Sequence, residues 1–327
     1  MLQNNQHQMH SPKSVIVVPT IRVERISEWL EKWREEFKNS TIIIVEDNPE
    51  ATFQISQKNV IHYSWKDIDN DLGEKSWIIP RRTAAVRSYG FIKAFQLNPE
   101  YIITLDDDCY PESEDFVKTH EYYLNQSHPD KWVQHAQSNL RMRGVPKSLV
   151  ARECVLNMGL WANVPDLDGN TQKENPDTRI KRQEFNFVIA PGQYVPISSM
   201  NMSFRKDVIP ALYFLLMGST WGFDRFDDIW SGIFIKRICD HLGFCVSGGS
   251  PFIWHDRASN PDTNILKEAS GLIVNELLWK DVENMKFTGK AFKECYLELA
   301  NQLPNYQVNL DYWPKLREAM IAWANLF

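Results

Sequence analysis

This 327-residue chain is predicted to adopt an α/β fold with a mainly parallel central sheet. Three observations lead there: continuous β-branched runs, helix-length amphipathic segments between them, and polar clusters where the runs end. "SVIVVP" (14–19) is apolar throughout, as expected of a strand covered on both faces. Ile26, Trp29, Leu30, Trp33 and Phe37 then recur at three- and four-residue spacings, the mark of an amphipathic helix. "TIIIVED" (41–47) and "VIHYSW" (60–65) are the next strands. "RTAAVRSYGFIKAF" (82–95) is a helix with Ala85, Tyr89, Ile92 and Phe95 on one side, and "YIITLDDD" (101–108) is a further strand. Strands alternating with helix-length connections imply a parallel sheet with helices on both faces.

Composition narrows the function classes. With 43% hydrophobic residues the chain can bury a large core. A net charge of −6 argues against nucleic acid or an anionic membrane as the main partner. Five scattered cysteines without a C-x-x-C pair fit free thiols in a reducing cytoplasm. "MLQNNQHQMHSPK" has no apolar core and reads as a frayed polar tail, not a secretory signal. The longest apolar runs fall far short of the roughly 20 residues of a membrane span. A soluble cytoplasmic protein is the expectation.

In parallel sheets ligands sit beyond the carboxyl ends of the strands. Pro19-Thr20, Glu46-Asp47 and Asp106-Asp107-Asp108 all fall at such ends. An acidic triplet is commonly a solvated turn, but this one ends a buried strand, and the preceding helical segment supplies Arg81, Arg82 and Arg87. Asp106 and Asp108, one residue apart, can ligate Mg²⁺ or Mn²⁺, which completes its shell with water and phosphate oxygens. Asp107 then points elsewhere in the nucleotide end. Arginines share diphosphate charge through paired N–H bonds. Pro19, Thr20, Arg22 and Asp47 are the candidate nucleotide contacts, with Arg82, Arg87 and Asp107. No P-loop or G-x-G-x-x-G sequence is present, so a nucleotide diphosphate with metal is the better reading.

The second half carries sharper motifs. "NMGLWANVPDLDGNTQ" (157–172) reads as a Gly/Asn/Pro-rich loop bearing Trp161 and Asp168. "PISSMNMSFRKDVIPALYFLLMG" (196–218) reads as a strand, a turn and an apolar helix, with Asn201 in the strand. "WGFDRFDDIWSGIFIKRICDHLG" (221–243) opens with acids at a helix N-terminus and closes on Gly243. One acid would suffice as a cap; Asp227 and Asp228 together after Asp224 exceed that. "FCVSGGSPFIWHDRASNP" (244–261) is a strand ending at His255, a third candidate metal ligand, followed by Arg257, a further phosphate partner. Trp29 and Trp33 belong to the core. Trp161 and Trp230, beside glycines or acids, suit the C–H face of a sugar ring, and Asp168 and Asn201 its hydroxyls.

The order "VVPTIR", "DDDCYP", "RGVP", "GLWANVPDLDGNTQ", "MNMSF", "YFLLMG", "RFDDIWSGIFIKRICDHLG" and "PFIWHDRASNP" resembles the reversibly glycosylated polypeptides, the UDP-L-arabinopyranose mutases of glycosyltransferase family 75. The likeness runs from about Val15 to "AMIAWA". It implies a GT-A-like (Rossmann-like) nucleotide-sugar fold: a tail (1–12), a nucleotide-binding half (13–130), a sugar-binding and catalytic half (131–265) and a C-terminal helical extension (266–327). It also implies Mn²⁺ (or Mg²⁺), no redox cofactor, and interconversion of pyranose and furanose UDP-arabinose. Arg143 of "RGVP" matches the arginine that becomes glycosylated in the family; Asp227 and Asp228 are the candidate acids of catalysis. The chain departs from the plant pattern at Val150, at "DGNTQ" and at Arg82-Thr83, around the sugar and phosphate ends. A transferase with a separate acceptor, or a non-catalytic partner subunit, are the alternatives, and a homo-oligomer is a further expectation.

Overall fold

The computed structural model describes residues 12–129, 132, 143–149, 151–257 and 259–327. The expected polar tail lies almost wholly outside them. In chain order the elements are β1 (Ser14–Thr20), α1 (Val23–Lys32), β2 (Thr41–Glu46), β3 (Val60–Tyr63), α2 (Trp65–Leu72), α3 (Arg87–Gln96), β4 (Tyr101–Leu105), β5 (Cys109–Pro111), α4 (Phe116–Leu124) and β6 (Ser127–Pro129). They continue with β7 (Ala151–Asn163), α5 (Gly169–Glu174), β8 (Asn186–Ile189), β9 (Asn201–Arg205), α6 (Asp227–Leu242), β10 (Cys245–His255), α7 (Pro261–Asn284), α8 (Phe292–Gln302) and α9 (Tyr312–Ala324).

One sheet runs in the order β3-β2-β1-β4-β9-β7-β10-β5. β3, β2, β1 and β4 are mutually parallel, as are β7 and β10, while β9 lies antiparallel to both β4 and β7. The expected mixed α/β, Rossmann-like architecture is therefore present, with β9 joining two parallel blocks. Successive residues of a strand point to opposite faces. Accordingly Val15 and Val17 of β1 enter one core, and Ile16 and Val18 the other. Trp29, Trp33 and Phe37 close the second face, with Trp33 and Phe37 stacked at 4.6 Å. On the first face Gly90 lets α3 lie against β1, since a Cβ there would sit 2.4 Å from Val17.

Two segments differ from the sequence expectation. Residues 151–163, partly read as loop, form the long strand β7 between β9 and β10. Its Gly159 is a packing glycine: a Cβ would lie 2.5 Å from the Pro251 carbonyl. The apolar run after Pro210 is not an α-helix; a 3₁₀ turn (Lys206–Ala211) gives way to buried irregular chain, with Leu215 at φ +56°. Residues 212–217 are all buried, so tertiary enclosure rather than helix periodicity accounts for their apolarity. α6 starts at Asp227 and ends at Gly243, whose φ of +79° gives the left-handed helix stop. All five cysteines are free and buried. Among the described residues no helix is long and apolar enough to cross a membrane.

Candidate functional site

β4 stops at Leu105 because the next three residues are aspartates, and each is held differently. Asp106 pairs with Arg87, whose guanidinium is fully buried and also donates to Thr104 Oγ1 (2.9 Å), the Ser199 carbonyl (3.0 Å) and the Ala84 carbonyl (3.2 Å). Burial raises the Asp106 pKa, but adjacent Arg87 outweighs it and holds the carboxyl below the usual carboxylate value. Asp107 pairs with Arg22 and accepts from Thr20 Oγ1 at 2.6 Å. Asp108 lies 3.7 Å from Arg22; burial, then repulsion from Asp106, push it up to about 6. Arg87 and Arg22, both expected on phosphate, thus neutralise the triplet from within. Arg87, although fully buried, also lines the first cavity described next, and Arg22 lies on the wall of both.

A first cavity of about 510 Å³ opens at the ends of β1 and β2. Pro19, Thr20, Asp47, Trp65 and Arg82 lie on its wall. Arg82 adopts φ +60°, and its amide and that of Thr83 both meet the Asp47 carboxylate, the latter at 2.8 Å. Trp65 Nε1 donates to the other Asp47 oxygen at 2.7 Å. Burial raises Asp47 against these bonds. Asp47 therefore fixes the Trp65 ring and the 82–83 turn that shape the cavity, while itself only 6% exposed.

A second cavity of about 650 Å³ adjoins the first, sharing Arg22, Thr83, Ala84 and Asp106 with it. Both volumes suit small-molecule recognition. Asp227 and Asp228 stand on the second cavity's wall at the start of α6. Asp228 accepts from the Ser199 amide (2.8 Å) and hydroxyl (2.9 Å), and the Ser199 carbonyl is held by Arg87. Burial, then the charge of Asp228, lift Asp227 well above the carboxylate value; burial raises Asp228 too, against the Ser199 bonds. Neighbouring buried carboxyls of this kind are both harder to ionise than a free carboxyl. Ser198 Oγ donates to Asp166 at 2.8 Å on the same wall. Across from them α7 contributes Lys267, paired with Asp224 at 3.0 Å, and Glu268, paired with Arg225 at 2.7 Å.

Residues 10–327 match the family model described as Reversibly glycosylated polypeptide. The chain belongs to that family. UDP-arabinopyranose mutase 1 of Oryza sativa subsp. japonica is 33% identical over 327 residues, covering 94% of this chain and 88% of that protein. UDP-arabinopyranose mutase 2 of Arabidopsis thaliana is 34% identical over 329 residues, covering 94% and 89%. The solved apo structure of mouse Xyloside xylosyltransferase 1 covers 59% of this chain and 65% of its own, at 11% identity and a TM-score of 0.27, too distant to carry an argument.

The remaining expectations of the reversibly glycosylated polypeptide reading fall into three groups. Trp161, Asp168, His255 and Arg257 line the second cavity. Asp168 there is first the N-cap of α5, accepting from the Asn170 and Thr171 amides at 3.0 Å, and Arg257 donates to Gln172 at 3.1 Å. Asn201 and Trp230 lie inside the protein, not on either cavity wall. Asn201 donates to the Leu160 and Pro251 carbonyls and bonds His120 Nε2; Trp230 donates to Asn275. Their polar groups are used in packing, which corrects the sugar-contact expectation. Arg143 is exposed in a turn and lines neither cavity. Most of the segment preceding it lies outside the described residues.

Among the described residues no three His, Cys, Asp or Glu form a ready-made metal centre. A hard cation bound through one or two carboxylates and substrate oxygens needs no such trio. His255 Nδ1 faces the Val164 carbonyl at 2.7 Å and must donate to it, leaving Nε2 as the nitrogen with a lone pair. That donor chemistry fits a cation arriving with a diphosphate. Asp166, Ser198, Ser199, Asp224, Arg225, Lys267 and Glu268 were not among the sequence candidates; only the density of acids around Asp224 pointed toward this wall.

Proposed function

We propose that this protein interconverts pyranose and furanose forms of a UDP-sugar, UDP-arabinose by its kinship with the two plant mutases. The observation that carries the reading is the pair of adjoining cavities meeting at Asp106, with the neighbouring acids Asp227 and Asp228 on the wall of the larger. The nucleotide enters the smaller cavity against Trp65 and the 82–83 turn. The sugar lies in the larger one, with Trp161 beside it and its hydroxyls among Asp166, Asp227 and Asp228.

The C1–O bond to UDP breaks, its electron pair leaving on the phosphate, where Arg22 and Arg257 offer positive charge. A divalent cation, Mn²⁺ or Mg²⁺, held by Asp106 and Asp108 with His255 Nε2 available, would take up part of that charge. The resulting oxocarbenium ion is stabilised by the carboxylate of the acid pair. The sugar O4 then bonds to C1 and gives its proton to Asp228. The C1–O5 bond breaks, and O5 takes a proton from Asp227. Return of the UDP oxygen to C1 completes the isomerisation with no net oxidation.

Incubation of the protein with UDP-arabinopyranose and Mn²⁺, followed by separation of the furanose form, tests this. Furanose product without any acceptor is expected. Turnover only on addition of an acceptor would replace the mutase reading with a transferase one.

A further inference from the structure

Several polar groups on the wall of the smaller cavity are already committed to protein partners. Asp47, just past the end of β2, accepts from Trp65 Nε1 at 2.7 Å, from the Thr83 amide at 2.8 Å and from the Arg82 amide, and is 6% exposed. Thr20 Oγ1 donates to Asp107 at 2.6 Å. Asn48, half-buried on the same wall, differs from both. Its Nδ2 donates to Glu46 Oε1 at 2.7 Å, and among the described residues its Oδ1 has no partner.

Glu46 settles which way the Asn48 amide faces. Its carboxylate is fully buried, and it also accepts from the Thr52 amide at 3.0 Å. A carboxylate accepts and does not donate, so the NH₂ end of Asn48 must be the end turned to Glu46. What the amide has left to offer a ligand at its other end is an acceptor.

That acceptor decides between bases that the rest of the cavity cannot separate. Trp65 gives a ring face, but stacking on an aromatic ring tolerates any base, because every base has a π-face. Uracil and cytosine have nearly the same outline. They differ at N3, where uracil carries an N–H and cytosine a lone pair. A fixed acceptor bonds the first and meets the second lone pair to lone pair. Uracil's N3–H is flanked by two carbonyl oxygens, and Arg82 supplies donors for them: it is exposed on the same wall, and among the described residues its guanidinium has no protein partner.

We propose that Asn48 is the residue that selects the nucleobase, its Oδ1 accepting the N3–H of uracil while Glu46 holds the amide in that orientation. Uridine nucleotides are then taken in preference to cytidine nucleotides. This rests on the placement of the nucleotide in the smaller cavity. Asp47, although the acidic neighbour, builds the wall and does not read the base.

Calorimetry with Mn²⁺ present and no turnover tests this. The native protein should bind UDP about a hundredfold more tightly than CDP, as a lost hydrogen bond with an acceptor left facing a lone pair implies. N3-methyl-UDP, which lacks only the N–H, should bind as weakly as CDP. Asn48→Ala should weaken UDP by about tenfold or more and bring the three nucleotides to within about tenfold of one another. Its affinity for inorganic diphosphate, which has no base, should stay at the native value. Equal affinities of the native protein for UDP and CDP overturn the proposal. So does an undiminished preference for UDP in Asn48→Ala, or a loss shared equally by UDP, CDP and diphosphate, which would make Asn48 a structural residue. Absence of UDP binding refutes the nucleotide placement and this inference with it. Discrimination by Asn48 without furanose formation refutes the mutase step alone.

Discussion

Arg87→Met removes the buried guanidinium that ties β4 to the wall of the larger cavity. Four groups lose their donor: the Asp106 carboxylate, Thr104 Oγ1 and the carbonyls of Ala84 and Ser199. Methionine fills much of the volume; the Asp106 carboxylate left unpaired keeps 30% of its side chain exposed, so the cost falls toward the low end of the range for a broken buried pair, about 3–5 kcal/mol. Against a total stability of about 5–15 kcal/mol, that is a large fraction. Urea unfolding, followed by both circular dichroism and tryptophan fluorescence so that coincident transitions can be checked, measures it. The double variant Arg87→Met/Asp106→Asn should lose less than the sum of the two single variants, because the pair is removed together. A loss below about 1 kcal/mol for Arg87→Met, or strict additivity, would refute the view that this ion pair pins the site.

Asp106→Ala and Asp108→Ala should abolish Mn²⁺-dependent UDP binding in calorimetry while the fold persists; undiminished metal-dependent affinity in both would remove the cation from the mechanism. Burial lowers the His120 pKa from 6.5 to about 3, against the bond to Asn201, so the folded protein resists a proton that the unfolded chain accepts. Stability from this group is full above pH 6.5 and falls on acidification toward pH 3, by up to about 1.4 kcal/mol per pH unit. Asp108, raised to about 6, acts in the opposite sense: its contribution is full below pH 3.8 and is lost as pH rises through 6. The difference between native protein and His120→Gln over pH 6.5 to 5 isolates the histidine, and parallel stability curves would contradict the assignment. Intact-mass measurement after incubation with UDP-arabinose should show one added pentose on the native chain and none on Arg143→Lys; equal labelling of both would place the acceptor elsewhere.

Strands β1, β2 and β4 were legible because a strand buried on both faces leaves an unbroken β-branched run. α6 was legible from the acids at its start and Gly243 at its stop. The same logic failed at 211–217, where an apolar run too short to show a period turned out to be enclosed irregular chain. It failed again at 157–163, where Gly159 and Asn157 resemble loop residues but serve a close strand crossing and a buried polar network. At the site, the strand-end acids and the Asp227-Asp228 pair were readable from position alone. The partners were not: Arg22 meets Asp107 across 85 residues and Asp228 meets Ser199 across 29, distances along the chain that no local pattern encodes. The contribution of Lys267 and Glu268 was hidden for the same reason, since the pattern of α7 shows a helix but not the wall it completes.

Replacement of the acid pair tests the central claim most directly. Asp227→Asn and Asp228→Asn preserve size and can still support the start of α6, so both should fold and retain UDP affinity. With UDP-arabinopyranose as substrate, at least one should lose furanose formation by about a hundredfold or more, the scale of a missing proton-transfer group. Full turnover in both variants, accompanied only by earlier melting, would show that the pair serves the helix and not the sugar.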